Sequence, residues 1–192
     1  DPDRYGPPLS TVPAWRQAFG RLAIKVSPAL DLAQVPEREE VEYVSWRGQC
    51  REAVLWFGMP DARRRRATRL DATGVVEIVA DTDEPSHPPV QPPGRYLYDC
   101  DPALVRSHLV GHLADQVDGW LIAADVAYLS TDRPHHTPWL QGFEILDTLR
   151  YQRKRLVRRL RDGGWRPGGI HRRHFPLEPE ALRAQLGPFD PA

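Results

Sequence analysis

Between Asp81 and Pro93 this chain carries five prolines, Pro85, Pro88, Pro89, Pro92 and Pro93, among acidic and polar residues. Proline fixes φ, removes a backbone donor and pushes the preceding residue toward extended geometry, so neither a helix nor a central strand can run through such a stretch. Its composition is that of a linker. The sequence is thereby divided into residues 1–80, a proline-rich linker at 81–93, and residues 94–192.

In the first part, Ser10 reads as a helix cap, and Ala14, Trp15, Ala18 and Phe19 recur at helical spacing up to Gly20. The run Leu22-Ala23-Ile24-Lys25-Val26 then has the length and composition of a buried strand. Two hairpins follow. Val41 to Trp46 and Cys50 to Phe57 are rich in β-branched and aromatic residues and flank Arg47-Gly48-Gln49, while residues 67–70 and 75–79 flank the turn Asp71-Ala72-Thr73-Gly74.

Beyond the linker, Asp101-Pro102 offers an N-cap with proline at the first helical position. Val105, Leu109, Leu113 and Val117 repeat at i+4, which predicts one helix with a single buried stripe. Strands are expected at Trp120 to Ala123, Val126 to Leu129, Phe143 to Leu146 and Ile170 to Phe175. A basic helix is expected from Tyr151 to Arg161, ended by Gly163-Gly164, and a short last helix carries Leu182 and Leu186.

Lys plus Arg and Asp plus Glu both number 26, so no global field draws the chain to nucleic acid or membrane and electrostatic arguments must rest on local clusters. No apolar run approaches the roughly 20 residues of a membrane helix, so no membrane is expected as a partner. Cys50 and Cys100 lack metal or disulfide spacing, and a reducing cytoplasm is the simplest home. Asp1 is not a start methionine, and the chain reads as an excised or processed piece.

The strings Gly94-Arg95-Tyr96-Leu97-Tyr98-Asp99, Asp101 to Arg106, Leu109-Val110-Gly111, Ala127-Tyr128-Leu129, Thr137-Pro138-Trp139 and Phe143 to Leu146 resemble, in order and spacing, the THUMP-like domain that closes a family of bacterial S-adenosylmethionine-dependent methyltransferases. Upstream, DPDRYGPPLS, LAIKVSPALD and EAVLWFG resemble the last part of that family's catalytic domain. The resemblance implies an α+β chain. Residues 1–80 would be the terminal strands and hairpins of a class I methyltransferase (Rossmann-like) sheet, and residues 94–192 a small α+β THUMP-like domain. It also implies S-adenosylmethionine as cofactor of the parent protein, RNA (tRNA or rRNA) as partner, and a missing N-terminal methyltransferase segment that holds the cofactor site.

No strand here runs into a glycine-rich turn and helix, so no cofactor-binding residue is assigned in this chain, which should not bind the methyl donor well alone. Asp1, in an acidic-proline dipeptide, and Lys25, alone in an apolar strand, are the catalytic candidates. Lys25 equally suits a side chain snorkelling from a strand edge. From 151 to 175, nine cations face Asp162 alone. Of these, Arg153, Lys154, Arg155, Arg158, Arg159, Arg172 and Arg173 are the candidate RNA contacts, against a merely solvated helix face. Arg63 to Arg66 reads better as an edge strand protected by charge. His108 and His112 have helical i, i+4 spacing but no third ligand, and no metal is expected. The rival reading of the whole chain is a non-catalytic RNA-binding or protein-interaction module.

Overall fold

The structure, a computed structural model, describes residues 6, 8–31, 33, 40–84, 86–173 and 175–186. A 3-10 turn at Leu9–Thr11 leads into α1 (Val12–Phe19) and then β1 (Leu22–Val26). Ser10 lies within the 3-10 turn rather than at the cap. Thr11 holds the cap position, and its hydroxyl donates to the Pro8 carbonyl at 2.6 Å.

Arg47 and Gly48 both lie at positive φ, 52° and 71°, the two-residue turn whose twist matches antiparallel strands. It joins β2 (Glu40–Trp46) to β3 (Gln49–Phe57). A second tight turn joins β4 (Arg65–Asp71) to β5 (Gly74–Ala80), where Asp71 Oδ1 accepts the Thr73 N–H at 2.7 Å. The sequence signals only these local pairings. Tertiary structure adds a parallel pairing of β2 with β4, which fuses the two hairpins into one open five-stranded sheet of order β1-β3-β2-β4-β5.

Alternation along the strands gives this sheet one apolar face. Val41 and Tyr43 on β2, Ala53, Leu55 and Phe57 on β3 and Ala67 on β4 are buried, and α2 (Pro102–Arg106) packs against β2, β3 and β4. Burying residues such as Leu55 and Phe57 stabilises by about 1.5–3 kcal/mol each. β1 departs from the buried strand expected of it. Only Val26 is buried, Ala23 and Lys25 are exposed, and among the described residues β1 pairs with β3 alone, leaving its other edge without a strand.

The second sheet, entirely antiparallel, has the order β7-β8-β6-β9, from β6 (Tyr96–Cys100), β7 (Trp120–Ala123), β8 (Val126–Thr131) and β9 (Leu140–Glu144). β9 therefore begins three residues before the strand expected at Phe143. Asp101 caps α2 as anticipated, its carboxylate accepting the Ala103 N–H at 2.9 Å. The single long helix is not formed. His108 adopts φ 58°, the chain breaks at Ser107–Leu109, and α3 (Val110–Gln116) starts afresh. Leu109, Leu113 and Val117 are nonetheless buried, so the stripe survives the break.

The proline-rich segment is pinned against this sheet. The Leu121 N–H donates to the Pro89 carbonyl at 2.9 Å, the Gln91 N–H to the Leu121 carbonyl at 3.0 Å and the Trp120 indole to the Pro92 carbonyl at 2.8 Å. Proline carbonyls remain good acceptors although their nitrogens cannot donate. By compactness the chain falls into Asp1–Glu144 and Ile145–Ala192, with residues 81–93 inside the first unit. A domain division at 81–93 stands as a proposal about the two sheets, each of which draws all its strands from one side of that segment.

The second unit contains α4 (Arg153–Asp162) and α5 (Pro179–Leu186). Gly164, at φ 63°, ends α4 as the glycine pair predicts. Residues 170–173 and 175 form no strand; Tyr151 instead meets the edge of Phe175, ring centres 4.8 Å apart.

Candidate functional site

On α4, Leu156, Val157 and Leu160 are half-buried on one side, which sends the charged residues outward. Helical geometry, at 3.6 residues per turn, then sorts the arginines into two groups. Arg153 and Arg159 flank the apolar stripe and are engaged by their own unit. Arg153 Nε donates to the Gln185 carbonyl at 2.6 Å, and Arg159 forms an ion pair with Asp147 while lying 4.6 Å over the Trp165 ring. The Arg159 hydrogen bond holds the Asp147 carboxyl below the usual carboxylate range.

Lys154, Arg158 and Arg161 form the other group, at i, i+4 and i+7 on a solvent face. All three are exposed, and Arg158 Nε lies 3.6 Å from the Asp162 carboxylate. Arg155 is exposed beside them. Arg172 is committed elsewhere, donating to the Phe175 carbonyl and pairing with Glu178. Arg173 is exposed and has a partner within the protein. The seven candidate contacts are thus divided, and Arg161 joins those that remain outward. Its helical phase with Lys154 and Arg158 was visible in the sequence and is the signal that could have found it.

The remaining candidates are not brought together. Asp1 lies outside the described residues. Lys25 is exposed on β1 and pairs with Glu52 of the neighbouring strand β3 at 2.7 Å. The arginine run entering β4 is consumed by carboxylates: Arg63 by Asp81, Arg64 and Arg65 by Asp83, and Arg66 by Glu40 at 2.6 Å and Glu77 at 2.9 Å. Around Arg66 a polar network covers the outer sheet face, where Glu42 accepts from Thr68 at 2.5 Å and from the Trp56 indole at 2.8 Å.

His108 sits in the helix break, so it and His112 lose the i, i+4 geometry that their spacing suggested. Among the described residues no three His, Cys, Asp or Glu side chains converge as a metal site. Burial, reinforced by Arg65 and Arg106, pushes the His108 imidazole below its ordinary value. Burial raises the Cys50 thiol against the opposing effect of Arg106, and Cys100 is buried; the two are not joined in a disulfide. Gly163-Gly164 and Gly168-Gly169 follow α4 rather than a strand, so neither pair forms the strand-turn-helix cradle that a nucleoside cofactor uses.

Fold and site together define a mixed α+β chain in which an open sheet precedes a small basic helical unit. Residues 140–191 match the family described as THUMP domain-like. The chain is 35% identical over 170 residues to proteins of Mycobacterium tuberculosis, strains CDC 1551 / Oshkosh and H37Rv, each described as an uncharacterized S-adenosylmethionine-dependent methyltransferase. That alignment takes in 86% of this chain and 46% of the relative, so the chain spans about half the length of these relatives. A crystal structure of a "putative methyltransferase" from Porphyromonas gingivalis W83 shares the fold, with a TM-score of 0.69 at 18% identity, over 86% of this chain and 44% of that one. The chain is related to the S-adenosylmethionine-dependent methyltransferases and carries a THUMP-like domain.

Proposed function

We propose that this chain is the C-terminal portion of a cytoplasmic S-adenosylmethionine-dependent methyltransferase that acts on RNA. In this reading the methyl donor is held by a preceding methyltransferase segment, whose strand joins the sheet at the open edge of β1, and the basic helix α4 contacts the RNA backbone. The observation that carries it is the relationship to methyltransferases about twice as long as this chain, taken with a sheet whose first strand is paired on one edge only among the described residues. An unpaired row of N–H and C=O groups on a mostly apolar strand is a template for another strand. Two cysteines held as thiols rather than a disulfide suit a reducing compartment, and no helix among the described residues is long and apolar enough to cross a membrane.

Methyl transfer needs the donor methyl and acceptor atom held in line, so its catalysis is largely positioning. The contribution of this chain is to bind and orient the polyanion. Lys154, Arg155, Arg158 and Arg161 supply outward cations; Arg153, Arg159 and Arg172 hold the unit that presents them. RNA binding by phosphate contacts releases counterions and weakens with salt.

Isothermal titration of S-adenosylmethionine and filter binding of tRNA and rRNA fragments across a salt series test the reading. No saturable methyl-donor binding to this chain, and RNA binding that falls with salt, are expected. Saturable micromolar binding of the donor to this chain would overturn the placement of its site, and an absence of RNA binding at low salt would overturn the RNA assignment.

A further inference from the structure

On the second sheet, Tyr96 and Tyr98 of β6 stand opposite Glu144 and Gly142 of β9. A Cβ at Gly142 would lie 2.7 Å from the Tyr98 ring, so glycine is what permits that ring to lie across the neighbouring strand. The Tyr98 hydroxyl accepts the His135 N–H at 2.8 Å, and Arg69, reaching over from β4, donates to the Pro138 carbonyl. Residues 134–138 are thereby fixed at two points beside the strand pair. Between loop and sheet runs a groove of 490 Å³ walled by Tyr96, Tyr98, His135, His136, Pro138 and Leu140. That volume lies in the range of roughly 300–1,000 Å³ typical of small-molecule sites.

The walls are chemically uniform in one respect. Ring faces line what is accessible: the half-buried Tyr96 and His135 and the exposed His136 and Pro138, beside a Tyr98 ring that is itself buried, with two imidazoles adding hydrogen-bonding edges. Charge is balanced at the rim, since Arg95 pairs with Glu144 at 3.0 Å and lies 5.5 Å over the Tyr96 ring. Such a site does not select a phosphate, which wants an excess of cations, nor a metal. It suits a neutral, planar heterocycle with donors and acceptors on its edge. We infer that this groove receives one unpaired nucleobase, the base-reading counterpart of the phosphate contacts on α4. The inference rests on the RNA reading for the source of that base. Stacking on aromatic side chains is tolerant of base identity, so the groove selects unpaired RNA over duplex rather than a sequence.

Two measurements test it. Amide NMR shifts during titration with adenosine and uridine monophosphates examine the groove alone, and saturable shifts at His135, His136 and Gly142 are expected. Fluorescence anisotropy then compares a single-stranded RNA of ten nucleotides with the same strand made abasic. The intact strand should bind roughly tenfold more tightly, the scale of one stacked base, and that ratio should fall to near one in Tyr96→Ala and His136→Ala with the salt slope unchanged. His136 is exposed, so its replacement does not threaten the fold. An unchanged ratio in both variants, or mononucleotides that shift none of these amides, would overturn the groove assignment. Loss of all RNA binding by the unaltered chain at low salt, with mononucleotide shifts intact, would instead overturn the RNA source.

Discussion

Arg63 to Arg66 and the arginines of α4 are similar as strings, yet one run is neutralised by its own protein and the other faces water. In the run that leads into β4, each of the four guanidiniums finds a carboxylate, drawn from β2, β5 or the segment at 81–83. On α4, the 3.6-residue repeat separates side chains that brace the unit from side chains that leave it. Charge density in a sequence therefore says little about availability to a ligand. What decides is whether acidic residues from distant parts of the chain arrive at the same place.

The contrast breaks most sharply at Arg66. Glu40 is only 3% exposed, and removing its guanidinium partner leaves a buried charge with one remaining backbone donor, Arg63 N–H at 2.6 Å. Arg66→Ala should lower the unfolding free energy in urea by about 3 kcal/mol while leaving RNA affinity unchanged at temperatures where the chain is folded. A loss below about 1 kcal/mol would mean that the β4 run is not structural.

The opposite signature is expected of α4. Replacing Lys154, Arg158 and Arg161 together by Ala should weaken RNA binding at least tenfold at 50 mM salt and make the salt slope shallower by about 2 to 3. Stability should change by no more than about 0.5 kcal/mol, because these side chains are exposed. An unchanged salt slope would reassign the stripe to an ordinary solvated face.

Within the same helix, Arg159→Ala sharpens the distinction. Loss of the Asp147 pair and of the contact over Trp165 should cost about 0.5–1 kcal/mol in thermal or chemical unfolding, with the RNA salt slope preserved.

The smallest effect concerns acid. Because the folded His108 imidazole is held below its ordinary value, the unfolded chain binds a proton first as pH falls through about 6.5, and stability should decline there. His108→Asn, which tolerates the positive φ, should remove that part of the decline. An identical pH profile in the variant would show that another group titrates.

Several elements were legible because their causes are local. Arg47-Gly48 set a turn, Asp101-Pro102 a helix start and Gly163-Gly164 a helix end, each through backbone preferences within a few residues. The long helix through His108 was not legible. Its i+4 stripe is real, but burial of Leu109 and Leu113 is reached by restarting the helix, and spacing cannot register a single residue turned to positive φ. The contacts of the proline-rich segment were hidden for a related reason. Composition reports missing donors, whereas its carbonyls found donors on Trp120 and Leu121.

By itself the sequence determined the mixture of strands and helices, most of their order and the relationship to methyltransferases with a THUMP-like domain, since periodicity, turn chemistry and motif spacing are properties of contiguous residues. Only the tertiary structure decided that β2 pairs with β4, that β1 pairs with β3 alone among the described residues, and which arginines remain outward. Those outcomes depend on groups tens of residues apart meeting at hydrogen-bond distance, and the strength of charge and polar interactions is fixed by that meeting and by the burial around it.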